Sequence, residues 1–166
     1  MCDGSPAFDA VVPAPFGAIG VRASRDLVTA IDLCPRVVRV KSPRTDAGRA
    51  AVRFLEAYLE DPRAVADGVP IGVQGTAFQR RAWQNLRVIP PGAQMSYGEL
   101  AAKLGTSPRA VGGACRANPV PIIVPCHRVV AARGGGGFMG ETRGPAMEIK
   151  TWLLAHEAGE AGRGRR

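Results

Sequence analysis

The tightest constraint on this chain is the helix punctuation between residues 76 and 119. Thr76 with Gln79, and Ser96 with Glu99, have the form of capping boxes. In such a box the N-cap hydroxyl and the third-residue side chain satisfy backbone N–H groups that a helix start leaves unpaired. The first box predicts a helix from 77 to about 87 that buries Phe78, Ala82, Trp83 and Leu86, and Pro90, Pro91 and Gly92 then form a turn. The second box predicts a short helix through Leu104, ended by Gly105 as a left-handed terminator. Ser107 and Pro108 supply an N-cap and a first-turn proline, so a further helix begins at once and runs to about 117, where Asn118 and Pro119 break it. Two short helices joined by a three-residue turn make a helix-turn-helix pattern.

The second of these helices reads RAVGGACR over 109–116. Adjacent glycines inside a helix cost roughly 1 kcal/mol each. They are tolerated where something approaches the backbone closely, either a packed helix or an external partner such as DNA. Arg109 and Arg116 flank the glycines, and the whole chain carries 22 basic against 14 acidic residues, a net charge of +8. That balance fits a polyanionic partner without requiring one.

The fold class expected is α+β, with a small N-terminal α/β domain over 1–73, a mainly helical domain over 75–159 and a basic tail over 160–166. Segments 16–21 and 27–33 read as a hairpin around the turn at 23–26, and 36–40 as a third strand. The period then changes to helical over 45–59, where Ala51, Phe54, Leu55, Tyr58 and Leu59 share a face and Asp61 with Pro62 stops the helix. Residues 69–73 read as a strand or an extended linker. The start of the chain has neither a basic nor an apolar export region, and no apolar run is long enough to span a membrane. A cytoplasmic protein is therefore expected, with Cys2, Cys34, Cys115 and Cys126 kept reduced. With no paired cysteine spacing and only two histidines, no metal site is expected.

The chemistry-bearing segment is the apolar, proline-bounded run VPIIVP at 120–125, which leads into Cys126, His127 and Arg128. A cysteine in apolar surroundings is ordinarily an inert small hydrophobe. A histidine and an arginine at the same place need partners, because unsatisfied buried polar groups cost about 1–3 kcal/mol each. A cysteine with an imidazole nearby can be a nucleophile. Adjacent side chains in an extended segment do not bond one another easily, so His127 is expected to act on Cys126 through a water.

The run VPCHRVV at 124–130 resembles the active-site signature of the O6-alkylguanine-DNA alkyltransferases, also called methylated-DNA–protein-cysteine methyltransferases. Ser96 with Tyr97, RAVGG at 109–113, Asn118 with Pro119, and WLLAHE at 152–157 resemble further landmarks of that family in the same order. The resemblance is strong over 75–157. It implies direct-reversal DNA repair, in which Cys126 irreversibly accepts a methyl or larger alkyl group from O6 of guanine, and possibly from O4 of thymine. His127 would take the thiol proton through a water, Glu157 would orient His127, and Asn118 would order the turn that holds Cys126. Tyr97 would help the guanine leave and press on the target phosphate. Arg109 would fill the stack after the base is flipped out. Gly112, Gly113 and Ala114 would let the helix lie close in the minor groove of double-stranded DNA, with Arg116 on a phosphate. Backbone carbonyls at Cys126 and Val129 would read the exocyclic amine. No cofactor is implied, and the chain would act as a monomer without a membrane.

The lid over 131–144, AARGGGGFMGETRG, departs from the family pattern. The position usually held by tyrosine falls on Phe138 or Met139, and Glu141 replaces a glycine. The backbone amide near Met139 or Gly140 is still expected to approach O6, and the glycines fit either a mobile lid or a disordered surface loop. Two other classes fit parts of the pattern. An alkyltransferase-like protein that flips the damaged base without transferring the group would not need Cys126. A cysteine hydrolase would leave the helix-turn-helix unexplained.

Overall fold

The computed structural model describes residues 8–36, 38–134 and 136–159. The chain divides into two units, 1–74 and 75–166. Among the described residues no helix is long and apolar enough to cross a membrane.

In the first unit, strands β1 (Ala10–Ala14), β2 (Gly17–Ala23) and β3 (Val28–Cys34) form an antiparallel sheet in the order β1-β2-β3. The β2–β3 hairpin turns at Ser24, whose N–H donates to the Leu27 carbonyl. Strand β1 was not anticipated, because Pro13 and Pro15 speak against a regular strand. Its position at the sheet edge removes the conflict, since an edge strand tolerates a missing donor. The strand expected at 36–40 is not formed among its described residues. Among the described residues the pairing nearby is a bridge between Lys41 and Val11, which meets the edge beside β1 at a single point. Residues 69–73 are extended, with one bridge from Ile71 to Val28.

Helix α1 (Asp46–Glu60) starts at Thr45, whose hydroxyl accepts from the Gly48 N–H, and it buries Ala51, Phe54, Leu55 and Tyr58. The Asp9 carboxylate accepts from the Thr45 N–H and hydroxyl, which ties the helix start to the sheet. Phe8, Val11, Ala18 and Cys34 pack as one apolar cluster. Cys34 is disulfide-bonded, whereas Cys115 and Cys126 are free thiols. The expectation of four reduced thiols therefore fails at Cys34, since a pairing made by the fold leaves no spacing pattern to read. Cys2 lies outside the described residues.

In the second unit both capping boxes form. Helix α2 (Ala77–Arg87) begins with reciprocal Thr76–Gln79 bonds and α3 (Tyr97–Leu104) with reciprocal Ser96–Glu99 bonds. Helix α2 buries Ala82, Trp83 and Leu86, but Phe78 is only half-buried, with Arg81 lying over its ring. Gly105 ends α3 in the left-handed region at φ 66°, and α4 (Pro108–Arg116) follows from the Ser107 cap. Arg81 donates to the last carbonyl of α3, at Leu104, and the Trp83 indole donates to the Ala114 carbonyl in α4. These bonds fasten both short helices to α2.

Two further strands, β4 (Met95–Ser96) and β5 (Val129–Val130), pair in parallel, Met95 with Val129 and Ser96 with Val130. This ladder sets Tyr97, the first residue of α3, beside the chain that leaves the Cys-His-Arg segment. Helix α5 (Pro145–Glu157) follows, and its buried residues are Ile149, Lys150, Leu153 and Glu157. Spacings of three and four place these on one face, so one inward stripe carries two charged groups two turns apart.

Candidate active site

Cys126, His127 and Arg128 form a single 3-10 turn rather than an extended segment. The turn is held from behind by Asn118. Its side-chain carbonyl accepts from the Val120 N–H at 3.0 Å, and its amide donates to the Val124 carbonyl at 2.8 Å and to Cys126 Sγ at 3.2 Å. Within this loop Ile122 is buried at φ 71°. A β-branched residue there is strained by about 1–3 kcal/mol. Asn118 grips the loop at both ends of that strained residue, and the same amide points at the sulfur. A plain helix-breaking asparagine would not need these contacts.

His127 has no exposed surface, and its Nε2 lies 2.7 Å from Glu157 Oε1. Arg128 approaches the same carboxylate as a fork, Nε to Oε2 at 2.9 Å and Nη2 to Oε1 at 2.8 Å, and also donates to the Ile89 carbonyl. Glu157 Oε2 accepts from the Gly92 N–H as well. Burial pushes the Glu157 carboxyl up, but the bonds and charges of His127 and Arg128 outweigh it and hold the group well below the usual carboxylate range. Burial pushes the His127 imidazole down, and Glu157 only partly offsets this. The resting state is thus a neutral imidazole beside an ionised carboxylate. An ionised carboxylate accepts from Nε2–H, which leaves Nδ1 as the basic nitrogen. Nδ1 is buried and has no hydrogen-bond partner among the described residues.

Cys126 is 5% exposed. Burial pushes its thiol up, while the Asn118 bond and the charge of Lys150 pull it down. The net direction is upward, so the group rests as a thiol and needs a base. It opens onto a cavity of about 410 Å³. Helix α4 contributes Pro108, Gly112, Cys115 and Arg116 to the lining, α3 contributes Tyr97, and the lid contributes 137–142. Burial raises the Tyr97 phenol to about 12, with Cys115 and Cys126 adding to the shift, so it is a donor at neutral pH. That hydroxyl donates to the Gly137 carbonyl at 3.1 Å.

Lys150 was not singled out from the sequence, although it sits on the same stripe of α5 as Glu157. It is 1% exposed and donates to the Val129 carbonyl at 2.8 Å and to the Gly137 carbonyl at 2.9 Å. Its ammonium also lies 5.8 Å from the centre of the Tyr97 ring. Gly137 therefore receives two donors, and the lid expected to be mobile is tied at this point. Phe138 and Glu141 exchange backbone bonds across Met139 and Gly140, both with positive φ. Phe138 is buried against the cavity and Met139 is exposed, so neither puts a hydroxyl where the tyrosine of the family pattern would stand. Arg128 likewise had no assigned role. The only signal for either residue was a long cation in an otherwise apolar, core-facing pattern.

On α4, a Cβ built at Gly112 or Gly113 meets nothing within 4 Å. The helix-packing explanation of the two glycines is thereby overturned: Gly113 is exposed and Gly112 is half-buried at the cavity, each with open space where a side chain would stand. Ala114, expected on the same outward face, is instead 2% exposed, because its turn of helix faces Trp83. Arg109 and Arg116 are exposed, and Arg116 lies against Gly140 in the lid. Among the described residues no group of three or more His, Cys, Asp or Glu could hold a metal ion.

Residues 77–159 match the model of the 6-O-methylguanine DNA methyltransferase DNA-binding domain. A methylated-DNA–protein-cysteine methyltransferase of Metallosphaera sedula is 32% identical over 143 residues, covering 86% of this chain and 88% of that protein. This chain belongs to the 6-O-methylguanine DNA methyltransferase family. A Salmonella typhimurium protein of the same name is 46% identical over 106 residues, which span 62% of this chain and 59% of that relative. Among solved structures, a Mycobacterium tuberculosis O6-methylguanine methyltransferase superposes with a TM-score of 0.75 at 31% identity, over 91% of this chain and 92% of that one. An OGT of the same organism in complex with DNA gives 0.72 at 34% identity over the same shares.

Proposed function

We propose that this protein repairs alkylated double-stranded DNA by transferring a methyl or other alkyl group from O6 of guanine, and possibly from O4 of thymine, to Cys126 in a single irreversible turnover. The observation that carries this reading is the array behind the cavity. A buried thiol is gripped by Asn118 and followed by a neutral imidazole whose far nitrogen is fixed by Glu157. His127 Nδ1 takes the thiol proton through a water. The sulfur attacks the alkyl carbon, the S–C bond forms as the C–O6 bond breaks, and the electron pair leaves with the guanine. Tyr97, held as a phenol, supplies the proton that neutralises the departing base. The step consumes the thiol and calls for no cofactor. The lid amide near Met139 or Gly140 approaches O6 in place of the missing tyrosine.

The bare backbone at Gly112 and Gly113 supports a helix-turn-helix, α3 and α4, that docks in the minor groove of DNA. Arg116 contacts a phosphate, and Arg109 occupies the stack left by the flipped nucleotide. All of the net charge of the chain lies in 75–166, which holds thirteen basic and five acidic residues. The segment 75–159 is then the alkyltransferase and DNA-binding domain, with 1–73 bracing it and 160–166 a basic tail. The protein acts as a cytoplasmic monomer. The test is incubation with duplex DNA containing O6-methylguanine, followed by peptide mass spectrometry. The expected result is one methyl per protein, on Cys126. Tight binding of an unchanged lesion would instead identify a damage-binding protein, and multiple turnover without DNA a hydrolase.

A further inference from the structure

We infer that Cys115 is a resolving thiol for Cys126: when a hydroperoxide oxidises the acceptor sulfur, Cys115 captures it in a Cys115–Cys126 disulfide that a dithiol reductant reopens. The inference goes beyond alkyl transfer and needs no DNA. It concerns the fate of an acceptor thiol that waits for a lesion. A sulfur carried to the sulfinic stage is lost to later chemistry, whereas a disulfide is recoverable.

The geometry brings the two sulfurs to one place. Cys115 and Cys126 are both free thiols, and both line the cavity of about 410 Å³. Cys115 lies on the stripe of α4 that faces this space, with Pro108 and Gly112. A short tether joins it to the acceptor. The Cys115 carbonyl accepts from the Asn118 N–H at 3.2 Å, and the Asn118 side-chain amide donates to Cys126 Sγ at 3.2 Å. The last turn of α4 is thus fixed to the residue that grips the acceptor sulfur. No other cysteine occurs in 75–166, and Cys34, in the other unit, is already disulfide-bonded.

The surroundings decide the order of events. Cys126 has His127 as a base, whereas burial raises the Cys115 thiol to about 12, so Cys126 reacts first. Its sulfur attacks one oxygen of hydrogen peroxide. The S–O bond forms as the O–O bond breaks, and the thiol proton leaves with the second oxygen as water. The sulfenic acid is uncharged. That removes the Cys126 charge that raises the Cys115 thiol, and leaves the Lys150 ammonium that lowers it. Cys115 then attacks the oxidised sulfur. The S–S bond forms as the S–O bond breaks, and the hydroxide departs with the Cys115 proton as a second water. The two thiols give up two electrons, and the peroxide takes both. The acceptor is blocked until the disulfide is reduced.

The test treats the full-length protein, without DNA, with excess hydrogen peroxide, caps the remaining thiols and maps tryptic peptides. The two cysteines fall on separate peptides, 110–116 and 117–128. The expected product is these two peptides linked within one molecule, lighter by about 2 Da than the reduced pair and separated by dithiothreitol. Cys115→Ser, which keeps the size of the side chain, should instead carry Cys126 to the sulfinic acid. After peroxide and then dithiothreitol, methyl transfer is compared with each protein's own untreated rate. It should return to at least about half in the wild type and to less than about a tenth in Cys115→Ser. Should the serine variant not fold, the wild-type peptide map decides alone. Sulfinic Cys126 beside a free Cys115 in the wild type, a link to another cysteine or another molecule, no oxidation of either thiol, or equal recovery in Cys115→Ser would overturn the inference. An untreated wild type that forms the linked peptides but transfers no methyl group would support it and defeat the alkyl-transfer reading instead.

Discussion

The two units of the chain treat charge in opposite ways. Residues 1–74 hold nine basic and nine acidic residues, whereas 75–166 hold thirteen and five. The ion pair of the first sheet, Arg22 with Asp32 at 2.7 Å, keeps about a quarter to a third of each side chain in water. The pairs of the second unit, His127 and Arg128 with Glu157, are sealed, with the carboxylate side chain 1% exposed. Arg22 also lies over the Phe8 ring, so it covers apolar surface as well as pairing. The first unit uses charge as ordinary surface, while the second buries one carboxylate with two cationic partners and leaves Arg109 and Arg116 exposed. The strained Ile122 loop, the bare α4 backbone and the cavity all lie in the second unit too.

The largest effect that separates the units is expected from removing one carboxylate charge in each. Glu157→Gln leaves Arg128 buried without its counter-charge, and breaking a buried pair in this way costs about 3–5 kcal/mol. Asp32→Asn should cost ~0–1 kcal/mol, as is usual for a half-exposed pair. Urea unfolding of both variants checks the comparison, and equal losses would break it. Next in size is DNA affinity. Arg109→Ala and Arg116→Ala should each weaken binding to duplex DNA, with Arg116→Ala also reducing the salt slope by ~1. Arg53→Ala, at an exposed position of α1, should change neither quantity. Fluorescence anisotropy over a salt series decides this, and an equal loss from Arg53→Ala would spread the interface over both units.

The smallest effect is the pH dependence of transfer. Burial lowers the pKa of His127 below its ordinary 6.5. The imidazole therefore stays unprotonated, and able to accept the thiol proton, as the pH falls from 8 to 6.5. Transfer should hold steady over that range and decline only in more acid solution. Stability has the same sign. The unfolded chain takes up the His127 proton near pH 6.5 and the folded one only at lower pH, so stability falls through that window. Glu157, whose pKa is also lowered, contributes stability that is present above its ordinary value and is lost at lower pH. A transfer rate already halved at pH 7 would show that His127 is not held neutral.

What could be read from the sequence was local. Thr76, Ser96, Gly105 and Ser107 act on the nearest turn of backbone, and each does in the structure what its type and spacing imply. Features that depend on distant partners were hidden. Strand β1 needed the knowledge that Pro13 lies at a sheet edge, and the described residues of 36–40 look like a strand but form no strand pairing. The orientation of Ala114 is decided by Trp83, 31 residues away. Lys150 has the residue type least often buried, and only the carbonyls of Val129 and Gly137 make its position understandable. In the site, Cys126, His127, Asn118 and Glu157 do come together as the family resemblance implied. The links through Arg128 and Lys150 were absent from that reading, because each is made to backbone or to a residue far along the chain.

The most direct measurement is transfer and binding by Cys126→Ala on the same methylated duplex. With the thiol as the acceptor, and α4 with its arginines as the docking surface, this variant should bind the DNA nearly as tightly as the wild type and remove no methyl group. Methyl removal that persists in Cys126→Ala would contradict the assignment of Cys126 as the acceptor.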